Sequence, residues 1–200
     1  MENSNNSIPR IAVISVAAGL LLMAFFTMMW AGIAEGNLNG SDHGTVLVVF
    51  AALSLAFVVY AIYLFISSKK FQKISNENDQ KEGKEMGKSF GLIFGIEGVA
   101  IPIAAFILTR LNAGRLVLPV IALIVGLHFY PMAKVFKRKV DYYLATWTCL
   151  IAVTGIVLML RHIVSDSDSL AFIGIGVALA TTSYGLYMLY VGYNMTKAII

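Results

Sequence analysis

The chain is short of charge, proline and cysteine. Aspartate, glutamate, lysine and arginine together make up 13% of its 200 residues, about half the share of a typical soluble domain. That shortage excludes a disordered tail, a nucleic-acid-binding module and an ordinary soluble enzyme. Cys149 is the single cysteine, so neither an intramolecular disulfide nor a cysteine-based zinc site stabilises the fold. No phosphate-binding Gly-x-x-x-x-Gly-Lys-Ser/Thr loop, Gly-x-Ser-x-Gly elbow or His-Glu-x-x-His pair occurs, which argues against ATP-driven transport by this chain alone. His43 and His162 lack metal-ligand spacing, and no arginine ladder marks a voltage sensor. We expect no metal ion, no cofactor and no catalytic set.

What the chain has in excess is apolar. Hydrophobic residues reach 58% and the mean hydropathy is +0.79. A helix crossing a bilayer needs about 20 mostly apolar residues. Six runs meet or approach that length: 11–34, 45–66, 90–111, 116–136, 142–160 and 169–191. They are apolar on nearly every face, whereas barrel strands are shorter and alternate in polarity. A backbone without water satisfies itself best as helix. The expected fold is therefore all-α, a bundle of six transmembrane helices forming one domain over residues 1–200. The first run exceeds the roughly 7–15 apolar residues of a signal peptide and is read as a retained helix.

Charge placement predicts the topology. Arg10, Lys69, Lys70, Lys73, Lys81, Lys84, Lys88, Lys134, Lys137, Arg138, Lys139 and Lys197 would all lie on one side. Arg110, Arg115 and Arg161 would face the other, beside Glu35, Asp42, Asp166 and Asp168. Cationic flanks stay in the cytoplasm during insertion, so both termini are expected there. The polar stretch 67–88 mixes lysine with glutamate and reads as a mobile cytoplasmic loop. The other connections are short, which makes consecutive helices antiparallel neighbours.

The informative residues are polar ones inside apolar runs. Glu97 lies in the third span, nine residues past Lys88, and His128 in the fourth, six before Lys134. A short turn joins the two spans, so both side chains fall at similar depth in the same half of the membrane. An acid and an imidazole in hydrocarbon pair or neutralise rather than stay separately charged. The pair is expected to face the interior and to exchange a proton near neutral pH. Pro102 frees the carbonyl of Gly98, and Pro131 that of Leu127. Those carbonyls adjoin the pair in sequence and would complete a polar site, as broken helices do in transporters. On the third span, Gly91, Gly95, Gly98 and Pro102 form a narrow stripe that predicts close helix packing. On the sixth, Tyr184, Tyr187 and Asn194 share a face, and with Tyr142 and Thr146 of the fifth they are candidates to line a solute pocket. Trp30 and Trp147 lie near span ends, as interfacial anchors do.

The segment 116–143, LVLPVIALIVGLHFYPMAKVFKRKVDYY, resembles a group of small multi-spanning bacterial membrane proteins of undefined function. The shared pattern is a Gly-x-His-Phe-x-Pro core, a basic turn and a Tyr-Tyr pair, here Gly126, His128, Phe129, Pro131, Lys137, Tyr142 and Tyr143. Weaker similarity extends over the rest of the chain. The resemblance implies a bacterial inner membrane and carries no known activity, so it assigns no catalytic residue.

The leading expectation is a protein that binds and moves a small solute or ion through the bilayer, with proton coupling at Glu97 and His128. Six helices are few for a carrier acting alone, which favours a homodimer. An accessory, sensor or immunity-type protein is the first alternative, its buried polar groups specifying packing only. A membrane enzyme acting on a lipid or quinone is the second, with Glu97 and His128 as acid and base.

Overall fold

The structure, a computed structural model, describes residues 8–38, 40–71 and 77–197. Its helices are α1 (Arg10–Leu38), α2 (Thr45–Ser67), α3 (Glu77–Arg110), α4 (Val117–Phe136), α5 (Lys139–Leu160) and α6 (Asp166–Lys197). All six are long and apolar enough to cross a membrane. Among the described residues there is no β-strand. The chain is a multi-pass membrane protein of the all-α class.

Helix α6 is the axis of the bundle. It packs along α1, α2 and α5, and more lightly against α4. The most apolar stretch of α6 is 67% buried, against 6% for α3, which among the described residues packs mainly against α4. The α1–α6 seam is antiparallel. Met188 lies against Gly19, Thr181 against Thr27, and Gly174 against Ala34 and the Trp30 carbonyl. The start of α1 and the end of α6 therefore lie on the side that also carries Lys69, Lys70, Lys134 and Lys137.

Small residues make this approach possible. With lipid as apolar as leucine, helices associate by close packing and by hydrogen bonds between them. Ala171, Gly174, Ala178 and Thr181 supply the flat face of α6, and all are buried. Thr27 and Thr181 share a 2.8 Å hydrogen bond at its centre. Trp30 belongs to this core at 1% exposure rather than anchoring at the interface. Trp147 keeps an exposed ring while its Nε1–H donates to the Gly176 carbonyl at 2.9 Å.

Two expectations about α3 change. The stretch 67–88 is not a mobile loop throughout: helix starts at Glu77 and runs unbroken into the third span. Residues 72–76 of it lie outside the described residues. Glutamate, lysine, glutamine and methionine are good helix formers, and a rigid neighbouring span removes the cost of nucleation. The stripe of Gly91, Gly95 and Gly98 also does not pack as expected. A Cβ at any of the three would meet no atom within 4 Å. The stripe faces outward, and the helix uses its Phe94, Glu97, Ile101 and Ala104 face against α4.

Away from the membrane, Asp42 fixes the start of α2. Its carboxylate accepts the Val46 N–H at 2.9 Å and the Gly44 N–H at 3.4 Å. The Val46 bond, above all, holds this carboxyl below its ordinary range. A group depressed in the fold stabilises it above the unfolded carboxylate value, and the contribution is lost as pH falls through the folded one. Amide protection at Val46 should therefore drop in acid. In Asp42→Ala it should be low already at neutral pH, and an acid step persisting there would refute the cap.

Candidate functional site

The site lies near the lysine-rich end, where α4 packs against α3 on one side and against α5 and α6 on the other. Glu97 and His128 are about equally far from the turn that joins α3 to α4, and antiparallel packing puts them opposite one another. His128 Nδ1 is 3.3 Å from Glu97 Oε2, and each side chain is 10% exposed. The contact is not aligned as a hydrogen bond, and neither atom has another partner. Aromatic rings close around the imidazole. It stacks on Phe129 with centroids 4.2 Å apart, and the Phe94 ring lies 5.5 Å away. Phe90 meets Phe136 edge-on at 6.0 Å, nearer the lysine-rich end of the same seam.

The loosened carbonyls are not gathered here. Gly98, Pro102, Leu127 and Pro131 all lie on exposed faces. The reason is helical geometry: a residue next to Glu97 or His128 points about 100° away from it. Both helices also continue through their prolines, α3 past Pro102 and α4 past Pro131. The site is an acid and an imidazole, without the backbone oxygens.

A second acid completes the cluster. Asp141 lies in the first turn of α5 and is fully buried. Neither of its oxygens has a hydrogen-bond partner. The Tyr184 hydroxyl and the Arg138 guanidinium, joined to each other, lie at this end of the bundle with it. The tight turn after α4 places them: Lys137 takes a left-handed conformation, φ 53°, and Arg138 follows as extended backbone. Arg138 then donates from Nη1 to the Tyr184 hydroxyl at 3.3 Å, and its guanidinium rests 4.9 Å from the Phe136 ring centre. Tyr184 meets Phe129 edge-on at 6.0 Å and stacks on Tyr187 at 6.2 Å. A polar and aromatic chain thus runs from Glu97 through His128 and Phe129 to Tyr184, with Asp141 beside it.

The expected pocket of Tyr142, Thr146, Tyr184, Tyr187 and Asn194 does not form as one set. Tyr184 is buried and Tyr187 half-buried, whereas Tyr142, Thr146 and Asn194 lie on exposed surface. Thr146 is held by the Tyr142 carbonyl and the Tyr130 hydroxyl, at 2.9 and 3.1 Å. A cavity of about 10 Å³ sits instead between α4, α5 and α6, lined by Phe129, Thr148, Thr181 and Tyr184 among others. It has room for about one water. Neither Glu97 nor His128 lines it.

Asp141 and Arg138 are the members that the apolar runs conceal. Counting hydrophobic residues starts the fifth span at Tyr142, which leaves Asp141 in a loop, but the helix begins at Lys139. The available signal was an acid standing alone among lysines and arginines at a span entrance. The chain matches no protein-family model, no curated protein and no solved structure.

Proposed function

We infer that this protein binds and moves a small solute or ion across a bacterial inner membrane, coupled to protons, with both termini in the cytoplasm. The carrying observation is the Glu97–His128 contact at 3.3 Å within the membrane-spanning region. Ionisable groups are disfavoured in hydrocarbon and are kept where a pathway or a proton relay uses them. A carboxyl and an imidazole that touch can share one proton between them, so uptake from one side and release to the other needs only a change of access. Helix α3 is the element best placed to supply that change, because among the described residues its packing is mainly against α4. The charge asymmetry supports the orientation, and the likeness over residues 116–143 supports the bacterial membrane.

A second reading, that of an accessory or sensor protein, is favoured by the tight packing. The cavity beside the site holds about one water, and neither member of the pair lines it. In that reading protonation would alter packing and no solute would cross.

Purified protein in liposomes under a pH gradient separates the two. We expect flux of at least one small solute or ion, abolished by Glu97→Gln. Flux that survives this substitution would remove the carboxylate from the mechanism. Silence across a broad solute set would favour the accessory reading.

A further inference from the structure

A carboxyl sealed from water is the least expected group in a membrane helix, and Asp141 is fully buried with both oxygens unpartnered. Two influences oppose each other there. The N-terminus of α5 favours the charged form, because Asp141 sits in its first turn. Burial favours the neutral form. A carboxyl held between opposing influences is poised to change protonation.

The placement of Arg138 bears on the charge of Asp141. It lies three residues before Asp141, yet its guanidinium donates to the neutral Tyr184 hydroxyl and rests on Phe136. Among the described residues, the acid–base pairs are Arg115 with Asp166 and His128 with Glu97, and Asp141 takes part in neither. A charged carboxylate draws a nearby arginine into a strong, often bidentate pair. With Arg138 engaged by Tyr184, no cation is paired with Asp141 among the described residues.

We propose that Asp141 is a second proton-binding residue of the site, and that Arg138 moves from Tyr184 onto its carboxylate when the proton leaves. The proton passes from the Asp141 carboxyl to water at the lysine-rich end. A carboxylate remains, Arg138 donates to it, and the Tyr184 hydroxyl is released. The titratable and charged groups facing Asp141 are His128 on α4, Arg138 in the turn and Tyr184 on α6, with Glu97 of α3 behind His128. The use of this second proton in transport rests on the function proposed above, whereas its binding does not.

Infrared difference spectra of the full chain in vesicles, recorded between acid and alkaline pH, test the binding directly. A protonated carboxyl in a dry setting has its own C=O stretching band. With ¹³C-labelled aspartate in the otherwise unaltered protein, we expect one such band to shift. It should vanish in Asp141→Asn and persist in Glu97→Gln. Arg138→Gln should hold the proton to higher pH, by about one unit or more. A labelled chain without a shifted band overturns the proposal even if Asp141→Asn fails to fold, and an unmoved midpoint in Arg138→Gln overturns the exchange of partners. Silent flux with the band present would sink the transport function alone. Flux that depends on Glu97 with no aspartate band would sink this proposal alone.

Discussion

Replacing Gly174 by alanine should destabilise the bundle by about 1–3 kcal/mol, the usual cost of forcing extra volume into a packed interior. A Cβ there would lie 2.7 Å from the Ala34 nitrogen and 2.9 Å from both the Ala34 Cβ and the Trp30 carbonyl oxygen. Two of those atoms are backbone, so no side-chain rotation relieves the clash and the helices have to part. Gly174→Leu should leave no folded bundle. Gly98→Ala is the matched control, because a Cβ at Gly98 meets nothing within 4 Å. It should stay within about 0.5 kcal/mol of the parent. Denaturant titration in mixed micelles, followed by the fluorescence of buried Trp30, reads all three. A Gly174→Ala chain as stable as the parent would mean that the α1–α6 seam yields at Ala34 and Trp30.

The second large effect concerns the polar pair. His128→Leu leaves Glu97 buried beside a side chain that offers it nothing. Breaking one half of a buried pair costs about 3–5 kcal/mol, and we expect a loss of that order near neutral pH. The double substitution Glu97→Leu with His128→Leu should recover most of the stability, since the two side chains leave together and the seam becomes wholly apolar. A double-mutant cycle in the same micelles gives the coupling. Effects that simply add would mean that the 3.3 Å contact carries no energy.

The six spans and the meeting of Glu97 with His128 could be read from the sequence for the same reason. Hydrocarbon thickness fixes helix length, and a short turn fixes which residues of two antiparallel helices stand level. Neither inference needs to know which face of a helix points inward. Where that knowledge was needed, the sequence was silent. In water the inward face is the apolar one, but in lipid both faces are apolar. Val13 is buried and Ile11 exposed on α1, and Phe57 is buried while Leu55 is exposed on α2, with no difference in character. That is why Tyr142 and Asn194 seemed to belong with Tyr184, and why Gly91, Gly95 and Gly98 seemed to mark a contact. The glycines in tight contact are elsewhere, Gly126, Gly155, Gly174 and Gly185 among them, and only the segment packed against each reveals them. Asp141 was hidden differently, by a helix that starts one turn before its apolar stretch does.

The Thr27–Thr181 bond joins residues 154 positions apart. During synthesis, α1 enters the bilayer long before the helix it is shaped to meet has been made. Its flat face and the Thr27 hydroxyl must wait among lipids or borrow another helix in the meantime. Ribosome stalling before α6 is complete would strand that surface, making arrested chains good substrates for membrane proteases and the closing of this one seam the moment of escape.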